Sequence, residues 1–574
     1  MIVDNSGFSS FTGSNNLIDD FTLPACSGIS AAAVTNFVTT LQDNGGPTDT
    51  HALLVGSNAL NTGTGNCPDH TATPLARDQR GVARPQNLTC DIGAYELVTA
   101  VTPGANGGNG PGGVSTTDGS SLLEAWFRAD RGAEEANNDP AETGDNVEFW
   151  RDQSGNNTHV SQALLGRRPN WTDAALNGQP ALAYTGGTNG DVLTTTLAAF
   201  AGDQPYTIFS AFNPANNNGE NLFAIGSPNF FETIAYHPNL FDNRWYYHFG
   251  DDMLVTPLLS GWQLASFRYE ALGSGTDRSY YANGSLAGSN AANPLALAAN
   301  PLLSVGGFDN RAGLEGQELT GQLGELIIFS TSLVEVERIL VENYLSSKYN
   351  LAIPGADDHY EGDTSPGEFD LDVAGIGQLG GNQHTQAHGA GMIVVNGTFL
   401  NENGDWLLFG HRTVNNSNST ADLPTGGDWG GVNDVRWARH WTIDVTDPSV
   451  NNGTVDVIFD FSEAGMNGGL PPSTPASHYR LLKRTGPTGP FSDITVASGA
   501  LVVVAGDQVQ FLGVDVAQLG SNFTLGSIDG AAAPTAITTQ NLASPISQPP
   551  YLALILLLLV LLAITIKIVW RRIV

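Results

Sequence analysis

Cysteine is scarce: the chain of 574 residues holds three, Cys26, Cys67 and Cys90. None belongs to a CxxC pair, and no clustered histidine supplies further metal ligands, so a cysteine-built metal site has little to draw on. Basic residues are few as well. The 23 Lys and Arg stand against 57 Asp and Glu, a formal charge of −34, and they form no stripe that could neutralise phosphates, which excludes nucleic acid as a partner. Charged residues of either sign are only 14% of the chain, while glycine alone counts 68. This balance fits a β-rich surface protein kept apart by self-repulsion, with an acidic solvated surface of the kind expected in a salty habitat. An export signal is missing at Met1, and no GxSxG elbow occurs.

What is present begins at the far end. From Tyr551 to Ile566 the chain is apolar and uncharged, and Lys567 can snorkel so that Ile568 to Trp570 extend the run. That gives roughly 20 residues, enough for a bilayer-spanning helix. Lys567, Arg571 and Arg572 follow the run and no basic residue precedes it closely, so the positive-inside rule puts the C-terminus in the cytoplasm and everything before Pro549 outside. Exported chains live where disulfides persist. Cys67 and Cys90 bracket a polar, proline-containing loop, and a bridge there would contribute about 3 kcal/mol by the chain-entropy estimate. The alternatives are two free thiols or a metal pair. Cys26 is then odd, which together with the missing signal leads to the expectation that Met1 is not the natural start.

The body of the chain reads as four stretches. Residues 1–98 are short apolar runs between Gly, Asn and Asp turns. The segments NGGPTDTHALLVGSNALNTG, DQRGVARP and CDIGAYEL resemble, in that order, the closing part of bacterial parallel β-helix proteins of the choice-of-anchor type. The resemblance spans about residues 15–96 and implies the last coils and cap of a truncated solenoid. Residues 99–120, rich in Gly, Asn and Pro, read as a flexible linker. Gly108, Gly110 and Gly113 make a GxGxxG there, without the strand and helix that nucleotide binding requires.

Residues 121–355 alternate as the strands of a sandwich, among them EAWFRAD, YTIFSAF, WQLASFRYE and GELIIFS. One helix follows in STSLVEVERILVENYLSSKYN, with Ser332 and Glu335 spaced as a capping box and Leu333, Val336, Leu340 and Tyr344 as an apolar stripe. EAWFRAD, WRDQSGNN, LNGQPALAYTG, SYYANGS and the closing helix resemble the concanavalin A-like, laminin G-type jelly-roll domains of bacterial surface proteins. The resemblance implies sugar or protein binding, sometimes with calcium. Asp152, Asn156 and the nearby Asp145 are the candidate calcium ligands, since a turn rich in oxygens suits a hard cation; the alternative is a structural turn in which Asp152 bonds its own backbone. Trp245, Tyr247 and Phe249 share one face of a strand by period two and are the candidate sugar platform, with Tyr246 and His248 on the other face.

Residues 360–530 form a second β-rich unit, read as another sandwich. The order VAGIG, DWLLFGH, RHWTIDV, YRLLKR and FTLG resembles an uncharacterised domain that commonly follows laminin G-type domains in large envelope proteins, and no activity comes with it. Two catalytic patterns fail on inspection. EFDLD places Glu368, Asp370 and Asp372 on one face but lacks the last Glu of the glycosidase pattern ExDxxE, and HTQAH has zinc-protease spacing at His384 and His388 but Thr385 where the general base belongs. A linker (531–549), the membrane helix (550–570) and a basic cytoplasmic tail (571–574) complete an all-β multidomain reading: β-helix remnant, jelly-roll sandwich, second sandwich, one transmembrane helix. The expected function is a membrane-anchored, extracytoplasmic protein that binds an extracellular glycan or protein and is not an enzyme. Two alternatives stand beside it: the non-catalytic part of a polysaccharide-active β-helix enzyme, and a structural envelope protein.

Overall fold

The computed structural model describes residues 108–528, less 216–220, 238–243, 248–251, 255–260, 272–276, 309–317, 364–368, 413–417, 451–452, 462–475 and a few single positions, together with scattered positions between 35 and 95. The chain is all-β with several sheets, and among the described residues α1 (Glu335–Tyr349) is its one α-helix. No helix among those residues is long and apolar enough to cross a membrane. The expected membrane helix at 550–570 lies outside them. So does most of the expected β-helix stub, of which the described positions show an antiparallel bridge between Phe37 and Leu53.

Two sheets build the first sandwich. Sheet A has at its centre Gln263–Tyr269, Tyr206–Pro214 and Gly321–Phe329, with Leu123–Arg128 also paired to the last. Sheet B runs from Asp252–Leu254 through Arg244–Tyr247, Thr233–Tyr236, Phe223–Gly226, Leu302–Val305 and Leu193–Thr196 to Val160–Ser161 and beyond. Alternate residues of the two sheets meet in one core, where Phe267 packs edge-on against Phe223 at 5.5 Å and Phe212 against Tyr236 at 5.5 Å. The strands of sheet A read as unbroken apolar runs because both of their faces are covered. Phe127, Ile208 and Ile328 face sheet B, whereas Trp126, Phe209, Ile327 and Phe329 face the helix.

The second sandwich follows the same logic. One sheet contains Leu371–Leu379, Trp406–His411, Trp441–Thr446 and Ser521–Ser527; the other contains Gln386–Gly389, Met392–Asn396, Thr454–Asp460, Gln508–Asp515 and Leu501–Ala505. Trp437 and Trp441 meet Phe459 between them, at 5.8 and 5.7 Å.

Helix α1 lies between the two sandwiches. Val336, Leu340 and Tyr344 share a cluster with Phe209, Ile327 and Phe329 of sheet A and with Val373, Trp406 and Leu408 of the second sandwich. A one-sided stripe was expected, but the helix is buried nearly all round, Arg338 and Lys348 included. Its start also differs from the expected capping box. The Glu337 carboxylate accepts from the Val334 backbone N–H, while the Ser332 hydroxyl accepts from Arg268 Nε. Asn350 ends the helix in the left-handed region.

The expected flexible linker is packed from residue 108 onward. Gly112 bridges Ala374 in parallel fashion, Gly375 N–H donates to its carbonyl, and His388 N–H donates to that of Gly108. Gly112 has φ +71°, and a Cβ there would come within 2.6 Å of the Leu340 carbonyl oxygen. Composition suggested mobility, but here glycine serves close approach to the helix.

Candidate ligand face and carboxylate clusters

A heavily bonded buried charge sits where the two sandwiches and the helix meet. Glu325 is fully buried on sheet A. Its Oε1 accepts from Trp126 Nε1 (2.5 Å) and Tyr344 OH (2.8 Å), and its Oε2 from Lys348 Nζ (2.7 Å) and Tyr349 OH (3.2 Å). Lys348 also reaches Asp130 Oδ1 at 2.7 Å, Arg128 holds Asp130 Oδ2 at 2.7 Å and Asp372 Oδ1 at 3.3 Å, and His411 lies 3.1 Å from Asp372 Oδ2. Burial alone would raise the pKa of Asp130, but Arg128 and Lys348 outweigh it and hold the carboxyl far below its ordinary range. Burial likewise opposes the charge of Asp372, and the His411 hydrogen bond and Arg128 hold its pKa well below the usual value. A carboxylate with every oxygen so occupied is poorly placed to act as acid or nucleophile, and the arrangement joins the parts mechanically.

That junction accounts for EFDLD. Asp372 stands at a β-bulge with φ +47° that aims its carboxylate at Arg128 and His411. Asp370 Oδ2 accepts from Asn177 Nδ2 at 2.9 Å, and Glu368 lies outside the described residues. The HTQAH histidines part company in a similar way. His384 Nε2 meets the Gly113 carbonyl at 3.2 Å, and His388 Nε2 meets the Gln386 amide at 2.8 Å.

The candidate calcium ligands of the first sandwich are engaged with the chain's own donors. Asp152 Oδ1 accepts from the N–H groups of Trp126 and Ser154, and Oδ2 from Ser154 Oγ and the Thr158 N–H. Asn156 turns its amide NH2 to the carbonyls of Leu123 and Glu124. Asp145 belongs to another turn, where Oδ2 accepts from the Glu142 N–H and its charge is the chief cause of a raised pKa at Glu135. Of the candidate sugar platform, Phe249 lies outside the described residues. Trp245 and Tyr247 are described by backbone alone, on strand Arg244–Tyr247 at the rim of sheet B.

Register places Tyr247 in a row of directly opposed residues across sheet B: Ser161, Thr194, Ser304, Ala224, Ala235, Tyr247, Asp252. Their neighbours along the strands, Leu193, Leu303, Val305, Phe223, Ile225, Ile234 and Tyr236, point into the core. The side chains of Ser161, Thr194, Ser304, Ala224 and Ala235 are therefore on the outer face of sheet B, where Ser304, Ala224 and Ala235 are fully buried. Phe308 packs on Ala224 and Ala235 in a small separate cluster on this side. The outer face of sheet A carries Trp126, Phe209 and Phe329 and is spent on the helix; that of sheet B is built of small and hydroxyl side chains.

A third group was missed in the sequence. Glu402, Asp405 and Asp447 each bring a carboxylate oxygen within 4.8 Å of the others, and they are the one such group of three among the described residues. Trp406 pairs with Thr446, so Asp405 and Asp447 are the next residues out at the end of the same antiparallel ladder. Like charges in that position repel. Asp405 Oδ2 accepts from the N–H groups of Asn401 and Glu402, at 2.9 and 2.8 Å. Glu402 folds back onto Ser449, accepting its N–H at Oε1 and its hydroxyl at Oε2. The signal available in sequence was the oxygen-rich NENGD, but its partner Asp447 is evident only once the strands are paired.

No family model matches this chain, and no curated protein matches it. Parts of it are similar to solved structures of low identity. Domain 4 of AbnA, a GH43 extracellular arabinanase from Geobacillus stearothermophilus, in complex with arabinotriose, matches 37% of this chain and 94% of its own at 16% identity and TM-score 0.27. CBM40 of the Ruminococcus gnavus IT-sialidase bound to α2,3 sialyllactose matches 24% of this chain and 80% of its own, at 14% identity and TM-score 0.20. Trypanosoma rangeli sialidase in complex with 2,3-difluorosialic acid matches 38% of this chain, at 11% identity and TM-score 0.24, and the match spans 32% of that sialidase. Likenesses this low carry no argument about ligand or reaction. The sheets and cores define an all-β protein of two sandwiches.

Proposed function

We propose that the chain is an extracytoplasmic surface protein, anchored by the apolar run at 551–570, whose first sandwich binds a glycan without hydrolysing it. The observation that supports this reading is the contrast between the two outer faces of that sandwich. A face destined for protein packing carries bulky apolar residues, as sheet A does. On sheet B the row instead holds the half-buried hydroxyls of Ser161 and Thr194, followed by Ser304, Ala224 and Ala235, which are fully buried, the two alanines against Phe308, and then by the backbone position of Tyr247. The half-buried hydroxyls of Ser161 and Thr194 can bond sugar hydroxyls, which suits a polar ligand at that end of the row. Against hydrolysis stands the commitment of Asp370, Asp372 and Glu325 to bonds within the junction.

A glycan array probed with the full chain tests the reading. Binding that is lost in Tyr247→Ala and Thr194→Val supports it; an empty array favours the structural envelope protein instead. Release of reducing ends from any bound glycan would contradict the non-catalytic part. For the anchor, deleting residues 550–574 from the exported protein is expected to shift it from the membrane fraction to the soluble one.

A further inference from the structure

We infer that Glu402, Asp405 and Asp447 form a calcium site at one end of the second sandwich. The three carboxylate oxygens within 4.8 Å bring up to three negative charges together in a chain that already carries −34. Water alone screens such a group poorly when part of it is buried. Asp405 is 1% exposed, and its Oδ1 has no hydrogen-bond partner although it lies beneath the surface. A buried carboxylate oxygen without a donor is costly unless a cation meets it. Its sister Oδ2 is fixed by two backbone N–H groups, so the side chain is not free to turn Oδ1 outward.

The frame around the group is rigid where a ligand set needs it to be. Asp405 adjoins Trp406 and Asp447 adjoins Thr446, and those two residues are paired in the ladder. Gly404, at φ +98°, lets the loop turn back beside Pro448, and Ser449 holds Glu402 through both carboxylate oxygens. Hard oxygen donors only, with no His or Cys, select calcium or magnesium over transition metals. Calcium takes about six to eight oxygens and accepts irregular geometry, so three carboxylates completed by carbonyls and water suit it, whereas magnesium demands a near-ideal octahedron. Bound calcium would cross-link the 401–405 loop to the 447–449 turn.

The test uses the full chain after chelator treatment and dialysis. Terbium, whose emission the adjoining Trp406 can sensitise, is titrated in and then displaced by calcium or magnesium. One saturable site is expected, displaced by calcium at lower concentration than by magnesium. Asp405→Asn and Asp447→Asn are each expected to weaken it by about tenfold or more, and Asp145→Asn to leave it unchanged. Because Asp405 is buried and its variant can fail to fold, Glu402→Gln, on the half-buried side of the group, serves as the second variant, with the same weakening expected. Calcium should also raise the Tm of the native chain above that in magnesium at matched ionic strength. Titration without saturation, or a site that survives both Asp447→Asn and Glu402→Gln, would overturn the assignment and leave diffuse cation condensation on an acidic surface.

Discussion

Lys348 and Glu325 form an ion pair of 2.7 Å with side chains 1% and 0% exposed, linking the helix to the sheet on which it lies. The charge of the lysine is shared with Asp130 at the same distance. Because Lys348 and Glu325 are both buried, removing one leaves the other uncompensated. Lys348→Met is expected to destabilise the protein by about 3–5 kcal/mol, read as a lower urea midpoint. Adding Glu325→Gln to that variant should recover part of the loss. A single variant as stable as the native chain would show that the pair contributes nothing.

Gly112 offers a sharper local test. A methyl group there would meet the Leu340 carbonyl at 2.6 Å on a backbone with φ +71°. Gly112→Ala is expected to cost about 1–3 kcal/mol, from strain and displacement of the clasp, whereas Gly144→Ala, at φ +95° but with nothing near its Cβ, isolates the backbone part alone. Equal melting temperatures for the two variants would remove the contact argument.

Acid should weaken the fold through two histidines. Burial pushes His359, stacked on Trp406 at 4.2 Å, down to about 4. Burial and then the neighbouring Arg484 push His440 down to about 3. Between these values and about 6.5 the unfolded chain binds protons that the folded one refuses, so stability falls as pH drops through that window. Asp363 works the other way: burial raises it to about 6, so the folded state gains protons there and is favoured on acidification. Comparing variants separates them. In His440→Gln the drop in Tm from about pH 7 to about pH 5 should be smaller than in the native chain, and in Asp363→Asn it should be larger.

Cys90 is buried and disulfide-bonded, and both candidate partners, Cys26 and Cys67, lie outside the described residues. Pairing with Cys67 is the expected outcome. Non-reducing peptide mapping of the protein should recover Cys67 linked to Cys90 with Cys26 apart, and a Cys26–Cys90 peptide would reverse the assignment.

How much could be read in advance depended on whether a residue's partners were local. The strands GELIIFS and YTIFSAF and the helix after Ser332 follow from periodicity, which is a property of neighbours in the chain. Asp152 was placed in the right turn, but whether its oxygens were free for a metal depended on Trp126, which comes from a distant strand. Asp405 and Asp447 are separated by more than 40 residues and become neighbours only through the pairing of Trp406 with Thr446. Glycine composition misled at 108–114, since the same residue type serves mobility and close contact, and only the position of the helix decides between them.

The clasp at Gly108–Gly112 also determines how the molecule bears load. Tension arriving from the N-terminal side enters at the seam between the sandwiches, where it is carried first by the backbone bonds of Gly375 to Gly112 and of His388 to Gly108. Those few bonds sit in series before either core. A pull from that side would strip this short segment from the seam while both sandwiches stayed folded, lengthening the chain by the extended span of the freed residues and absorbing work before any domain is lost.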